Sequence, residues 1–445
     1  MIYKSDTIFA LASGAGKAGV AVVRVSGPDA GKALLALAPA LSSLPPPREL
    51  RRVFLFEPES SPPVPIDDGM AVYFVAPASF TGEDVVEFHV HGGAAVLDAL
   101  FTSLSGLGCR VAEPGEFSRR AFLNGKLDLT AVEAIADLVD AETTAQRRQA
   151  LTQMGGALAE RYDGWRTRLI GAMAFAEAQI DFAEEDIPED LRLRSLAEIA
   201  SVAEEIAAHL DDNGVGERIR RGVRIALTGA PNVGKSSLLN ALARRDAAIV
   251  SDIAGTTRDI IEVPMDLGGY AVTVIDTAGL RETEDVIELE GVRRARSAAE
   301  AADLRIVMVE ADASLPEEVS SHDLLVINKV DMVSGTPEIP GGAYSVSVRT
   351  GKGIDDLVAA MTERVRLLTG SQSGEVVPLT RARHRRGLDE CAAALRRIVD
   401  AGTAAQEELA AEDLRLAAEA LGRLTGRIDV EDILDRIFSD FCIGK

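Results

Sequence analysis

Residues 223–239 read Val-Arg-Ile-Ala-Leu-Thr-Gly-Ala-Pro-Asn-Val-Gly-Lys-Ser-Ser-Leu-Leu. An apolar, β-branched run leads into Gly229-Ala230-Pro231-Asn232-Val233-Gly234-Lys235-Ser236, which has the spacing GxxxxGK[ST], and a helix-forming stretch follows at once. Strand, glycine-rich turn and helix in that order are the context a phosphate-cradling loop requires. The glycines let backbone N–H groups curl around phosphate oxygens, Lys235 brings a point charge to the β and γ oxygens, and the Ser236 hydroxyl suits magnesium. We therefore assign Asn232, Val233, Gly234, Lys235, Ser236 and Ser237 to a nucleotide. A plain strand-to-helix turn would not need the motifs that accompany it downstream.

Apolar runs at 271–275, 305–309, 324–327 and 344–348, separated by helix-length segments, predict an α/β parallel sheet around that loop. Asp276-Thr277-Ala278-Gly279 follows one of these runs, where the aspartate can reach magnesium, usually through water, and the Gly279 N–H can meet the γ-phosphate. Asn328-Lys329-Val330-Asp331 follows another. The Asp331 carboxylate suits the N1–H and exocyclic amine of guanine, a donor pair that adenine lacks, so GTP is expected rather than ATP. Ser347, in Ser347-Val348-Arg349, is expected to complete the base pocket, although the two residues after it depart from the commoner Ser-Ala-Lys. The loop Ser251-Asp252-Ile253-Ala254-Gly255-Thr256-Thr257 lies between the phosphate loop and Asp276 and is expected at GTP, with one threonine, assigned as Thr257, on magnesium beside Ser236. Leu280 stands where many small GTPases carry a water-orienting glutamine, which leaves Asp285 and Glu288 as the nearest carboxylates for that role or as an ordinary acidic loop.

Further out, residues 1–124 alternate short β-like runs (20–25, 53–56, 71–75, 85–90) with turns and predict an α+β domain. The Pro- and Ser-rich stretches around 45–47 and 58–65 read as surface excursions. Helical spacing begins after Lys126, with Val132, Ile135, Ala136 and Val139 on one face, and then Leu196, Ile199, Val202, Ile206 and Leu210 on another. It returns beyond a Gly/Ser linker with Leu388, Leu395, Ile398, Ile433, Leu434, Ile437 and Phe438. The chain is thus expected to be multidomain. Residues 1–124 form an N-terminal domain, 125–217 and 371–445 form one discontinuous α-helical bundle, and 218–370 form an inserted P-loop G domain.

A length of 445 residues fits several cores, and a net charge of −23 excludes a broad electrostatic grip on nucleic acid. If RNA is the substrate, a partner or a local patch must hold it. Three scattered cysteines, Cys109, Cys391 and Cys442, fit neither a disulfide framework nor a CxxC metal site. No membrane-length apolar run or export signal is seen, so a cytoplasmic protein is expected. The terminal Cys442-Ile443-Gly444-Lys445 is a poor prenylation signal, since Gly444 is not aliphatic. His89 and His91 alternate on one strand face without a third ligand at matching spacing.

The phosphate loop, Gly255-Thr256-Thr257-Arg258-Asp259, residues 276–285 (DTAGLRETED), Ser79-Phe80-Thr81-Gly82-Glu83-Asp84, Pro114-Gly115-Glu116-Phe117 and the terminal residues 441–445 (FCIGK) together closely resemble the bacterial tRNA modification GTPase family MnmE, also called TrmE. The resemblance runs along essentially the whole chain. It implies a homodimer whose N-terminal domain binds a reduced folate (formyl- or methylene-tetrahydrofolate), with Arg24, Glu87, Lys126 and Lys445 at the matching positions. It also implies a heterotetramer with the flavoprotein MnmG (GidA), which would hold most of the tRNA, and modification of carbon 5 of a wobble uridine to an aminomethyl-type group. Potassium-stimulated hydrolysis is implied too, with Asn232, Ser251, Ile253 and Thr256 as potassium ligands, Ser236 and Thr257 on magnesium, and Glu288 positioning the water. The tail cysteine Cys442 is placed at the folate site as a catalytic candidate. Two other readings differ in class: a regulatory GTP switch of the ribosome-assembly type, which would need neither the folate-like segment nor the tail, and a folate-dependent transferase with an appended G domain.

Overall fold

The computed structural model describes residues 6–181, 189–244, 261–276, 300–314, 319–333, 341–370, 378–402 and 406–428, together with 434, 437, 438 and 444. The chain divides into two compact units, residues 1–136 with 422–445, and residues 137–421.

In the first unit, β1 (Ile8–Leu11), β2 (Ala18–Ser26), β3 (Arg51–Phe56), β4 (Pro65–Phe74), β5 (Val85–Gly92) and β6 (Arg110–Val111) form one sheet in the order β3-β4-β5-β2-β1-β6. It is antiparallel apart from the β1–β6 pair. Period-2 alternation decides its two faces. Val23, Val25, Val86 and Phe88 point into a core closed by Leu34 and Leu37 of α1 (Ala30–Leu37) and Leu100 and Leu104 of α2 (Ala94–Gly106). The intervening residues, Val22 paired with His89 and Arg24 paired with Glu87, therefore take the face away from these helices. α3 (Glu116–Leu123) follows, and α4 (Leu129–Val139) packs Leu129 and Val132 against Leu434 and Phe438 of the chain's last segment. β1 and β6 escape the sequence reading because they are four and two residues long, too short to show a period. β4 starts at Pro65, earlier than the apolar run suggests, because its first half, Ile66-Asp67-Asp68-Gly69-Met70, is half-exposed. The α4 face is shorter than its spacing implies, since Val139 is 47% exposed.

In the second unit, α5 (Thr144–Met154), α6 (Ala157–Asp181) and α7 (Glu189–Leu210) precede the short α8 (Val215–Arg221). The G domain follows: β7 (Val223–Gly229), α9 (Lys235–Ala243), β8 (Ile261–Leu267), β9 (Tyr270–Asp276), β10 (Leu304–Glu310), β11 (Leu324–Asn328), β12 (Tyr344–Ser345) and α10 (Ile354–Leu368). Its sheet order is β12-β11-β10-β7-β9-β8, parallel except for the β8–β9 hairpin. β8 escapes the sequence reading because Pro264 sits inside it. As the edge strand it tolerates a missing N–H, and Gly268-Gly269, both at positive φ, supply the two-residue turn. After the G domain, α11 (Ala382–Ala401) packs back on α7, whose Ile199, Val202 and Ile206 are buried, and α12 (Glu407–Thr425) follows. The two crossings into the G domain are tied together. Leu379 N donates to Asp212 at 3.2 Å, Arg385 donates to Leu210 O at 2.8 Å, and Arg218 donates to Leu368 O at 3.0 Å. The helical bundle is therefore discontinuous, with the α/β domain inserted. No helix among the described residues is long and apolar enough to cross a membrane.

Candidate guanine-nucleotide site

β7 ends at Gly229 and α9 begins at Lys235, so the intervening loop sits at the carboxyl end of a central strand, where open α/β sheets bind ligands. Two glycines are required by close approach as well as by positive φ. A Cβ on Gly229 (φ 136°) would lie 2.2 Å from Met308 O, and one on Gly234 (φ 108°) would lie 2.4 Å from the Asn328 amide nitrogen. That second approach is functional, because Asn328 Nδ2 donates to Val233 O at 2.8 Å while its Oδ1 accepts from Val348 N at 3.2 Å. Asn328 thus stitches the phosphate loop, the end of β11 and the Ser347-Val348-Arg349 segment into one frame. Asn232 adopts a left-handed conformation (φ 64°) on the exposed side of the loop, and Ser236 and Ser237 open α9 on its exposed side.

Lys235 is 6% exposed and donates from Nζ to Gly229 O at 2.8 Å and Ala230 O at 3.0 Å. Burial pulls its ammonium below the ordinary lysine range, against the attraction of Asp276. Ser236 Oγ donates to Asp276 Oδ2 at 2.5 Å, which puts a hydroxyl and a carboxylate oxygen side by side, the hard donor type magnesium takes. At the base end, Lys329 (φ 62°) pairs with Glu310 at 2.5 Å. Asp331 is held below the usual carboxylate range by the Ser347 hydroxyl first and then by Arg349. Ser347 is fully buried, and its loop is closed by Ser347 N donating to Lys352 O at 2.9 Å. The structure therefore brings together Asn232 to Ser237, Asp276, Asn328, Lys329, Asp331 and Ser347. Ser251, Asp252, Ile253, Ala254, Gly255, Thr256, Thr257, Thr277, Ala278, Gly279, Glu288, Cys442 and Lys445 lie outside the described residues. Sequence reasoning missed the stitching role of Asn328 and the contacts of Arg349 and Glu310. The departure at Arg349 from the usual lysine was the available signal.

The first unit holds a second cluster. Across the β2–β5 register Arg24 Nε donates to Glu87 Oε1 at 2.9 Å, and the guanidinium carbon lies 5.1 Å from the Phe80 ring centroid and 5.6 Å from that of Phe117. His89 Nε2 is 3.8 Å from Glu87 Oε2, whereas His91 is hydrogen-bonded to Asp67 at 2.8 Å, so the two rings take different partners. Lys126 Nζ donates to Pro77 O at 3.1 Å and Asn124 Nδ2 to Thr81 O at 2.7 Å, which ties the start of the helical segment to the loop that carries Phe80. Beneath that loop Arg120, 2% exposed, bonds Asp6 at 2.7 Å, Glu83 at 3.1 Å and Glu116 at 3.0 Å, and Ser26 Oγ donates to Glu83 at 2.7 Å. Gly444 (φ 106°) lies against β1, where a Cβ would fall 2.0 Å from Leu11 O. The neighbouring Ala10 pairs with Arg24.

The sequence profile of the GTP-binding protein TrmE N-terminus matches residues 7–126, and that of the MnmE helical domain matches residues 129–442. Among curated relatives, the tRNA modification GTPase MnmE of Parvibaculum lavamentivorans is 55% identical, covering 99% of this chain and 100% of that one. Those of Paramagnetospirillum magneticum (54%, covering 99% and 100%) and Rhodospirillum rubrum (53%, covering 99% and 99%) are similar over the same span. On profiles that span both units and on full-length identity, the chain belongs to the tRNA modification GTPase MnmE family.

Proposed function

We propose that this chain hydrolyses GTP in the site above and couples that hydrolysis to modification of the wobble uridine of certain tRNAs. Carbon 5 receives an aminomethyl-type group, with a flavoprotein partner of the MnmG (GidA) type and a one-carbon unit from a reduced folate. The observation that carries the reading is the frame built by Asn328, which ties the phosphate loop to the Ser347-Val348-Arg349 segment that contacts Asp331, in a chain belonging to this family.

Ser236 and Asp276 fit magnesium, with Thr257 as its further ligand, and bound magnesium supplies charge neutralisation between the β and γ phosphates. Asn232, with Ser251, Ile253 and Thr256, is assigned to potassium, and Glu288 to the attacking water. Lys235 holds the phosphates, and Asp331 and Ser347 orient the base. Arg24, Glu87, Lys126 and Lys445 are assigned to the folate. Glu87 accepts from pterin N–H groups, the cations suit carboxylates, and the half-buried Phe80 ring beside Arg24 offers flat apolar surface. A homodimer through the N-terminal sheet is supported by Val20, Phe54 and Met70, which are 59%, 50% and 46% exposed on the face away from α1 and α2. The functional division falls at residues 124, 217 and 370, and the protein works in the cytoplasm as a heterotetramer whose tRNA is held mainly by the partner.

The test is a reconstitution: the chain, its flavoprotein partner, a reduced folate, tRNA and GTP, with nucleosides read by mass spectrometry. Modified uridine that requires GTP supports the reading. GTP hydrolysis without any modified uridine would leave a regulatory switch, and turnover without GTP would favour an appended G domain.

A further inference from the structure

We propose that Arg349 sets the affinity and base selectivity of the nucleotide pocket by competing with guanine for the carboxylate of Asp331. The proposal rests on Asp331 as the guanine-reading residue. Arg349 Nε and Nη2 both donate to the same oxygen, Asp331 Oδ2, at 2.9 and 2.5 Å. The Ser347 side chain hydrogen-bonds the same carboxylate. A carboxylate offers about four acceptor positions, of which Arg349 takes two, the Ser347 side chain one and the Asp331 backbone amide one. Guanine presents N1–H and an exocyclic N–H side by side and needs an acceptor on each oxygen. The two Arg349 bonds fill Oδ2, one of the two oxygens the base must reach, so at least one Arg349 bond must break before the base is read. A base without that donor pair would disturb the ion pair and recover nothing, which turns the competition into selectivity.

The described residues around Arg349 are held while Arg349 itself is exposed. The backbone of its loop is closed by Ser347 N donating to Lys352 O and Gly351 N donating to Ser347 O, both at 2.9 Å, and Asn328 is engaged at both ends. The Arg349 side chain is 76% exposed while that of Asp331 is 14% exposed, so an exposed cation sits over a largely buried anion. An exposed pair of this kind is weak and screened by salt, which suits a latch that must open at each nucleotide exchange.

The experiment is binding of fluorescent GDP and GTP analogues to the full chain, by equilibrium titration and stopped flow, for wild type, Arg349→Ala and Arg349→Lys. Arg349→Ala should tighten both nucleotides about two- to fivefold, with slower release, and Arg349→Lys should fall between. The gap should narrow as ionic strength rises. In an Asp331→Asn background tested with xanthosine diphosphate, adding Arg349→Ala should leave affinity unchanged, because the carboxylate is gone. Arg349→Ala binding no more tightly than wild type overturns the proposal, as does an equal gain in the Asp331→Asn background. A wild-type chain that binds no guanine nucleotide would instead remove the reading on which the proposal rests.

Discussion

The two charged clusters of this chain are built on opposite plans. In the nucleotide site the key groups bond to near neighbours along the chain or to exposed partners: Lys235 to Gly229 and Ala230, and Asp331 to Arg349. Each of these bonds is one that a ligand can replace. In the N-terminal cluster Arg120 is buried and shared among carboxylates from residues 6, 83 and 116, so its charge faces the protein rather than a ligand. The first plan serves binding and release. The second holds a scaffold, the 79–84 loop, so that Arg24, Phe80 and Glu87 present a constant surface.

The largest effect should come from breaking the scaffold. Arg120→Ala removes the buried cation shared by Asp6, Glu83 and the buried Glu116, and should cost the N-terminal unit about 3–5 kcal/mol. Denaturant unfolding of the full chain should show an early transition in the variant, with GTP hydrolysis in the second unit unchanged. A loss near that of a surface substitution would mean that the network is slack and the contrast between the two plans is wrong. Lys235→Ala tests the other plan. Hydrolysis should fall by about 100-fold or more, because a phosphate-facing charge is lost, while the unfolding of the N-terminal unit stays where it was. Phosphate release at saturating GTP measures it.

A pH titration sharpens the contrast without a mutation. Burial raises the pKa of Glu116, but hydrogen bonds from Arg110, the Glu113 amide and Arg120 outweigh it and hold the group below its ordinary value of 4.5. Asp6 is likewise held below 3.8, where Arg110 and Arg120 overcome the effect of burial. With folded values depressed, the native state binds fewer protons than the unfolded chain. The stabilisation is therefore complete above the ordinary values and is lost as pH falls through them toward the folded values. The N-terminal unit should unfold at higher pH in Arg120→Met than in wild type, followed by circular dichroism in acid. Coincident acid transitions in the two proteins would show that this network does not set acid stability.

The same contrast governs what could be read from the sequence. The phosphate loop, Asp276, Asn328 to Asp331 and Ser347 each lie at a strand end in a contiguous motif, so the fold places them together by topology alone. Arg24 and Glu87 are 63 residues apart and meet only through the β2–β5 register, and a one-residue slip would have put them on opposite faces. Family resemblance named that pair, whereas period and spacing did not. Arg120 was invisible for a similar reason: on its helix it reads as one more polar residue, and its burial comes from the packing of Asp6 and the 79–84 loop above it. β8 was concealed by Pro264, a residue whose cost depends on whether the strand is at an edge, which is a tertiary fact. Gly268-Gly269 was the local signal that outranked it.

The smallest predicted change in stability carries the most information about how the N-terminal cluster is completed. Gly444 combines a positive φ with an approach to Leu11 O that leaves no room for a Cβ, so the backbone two residues beyond Cys442 is seated against β1. Ala10 of that strand pairs with Arg24, which brings Gly444 to the strand beside the Arg24–Glu87 pair. Gly444→Ala should cost about 1–2 kcal/mol locally, from the left-handed backbone alone, and should lift the tail from β1 rather than unfold either unit. Global unfolding and GTP hydrolysis should then match wild type, while the rate at which Cys442 reacts with a small thiol reagent changes and uridine modification in the reconstituted system drops. A variant that modifies tRNA as well as wild type would show that the tail's seat on β1 is only a resting place. The N-terminal cluster would then be complete without it, as fixed and self-contained as the Arg120 network beneath it.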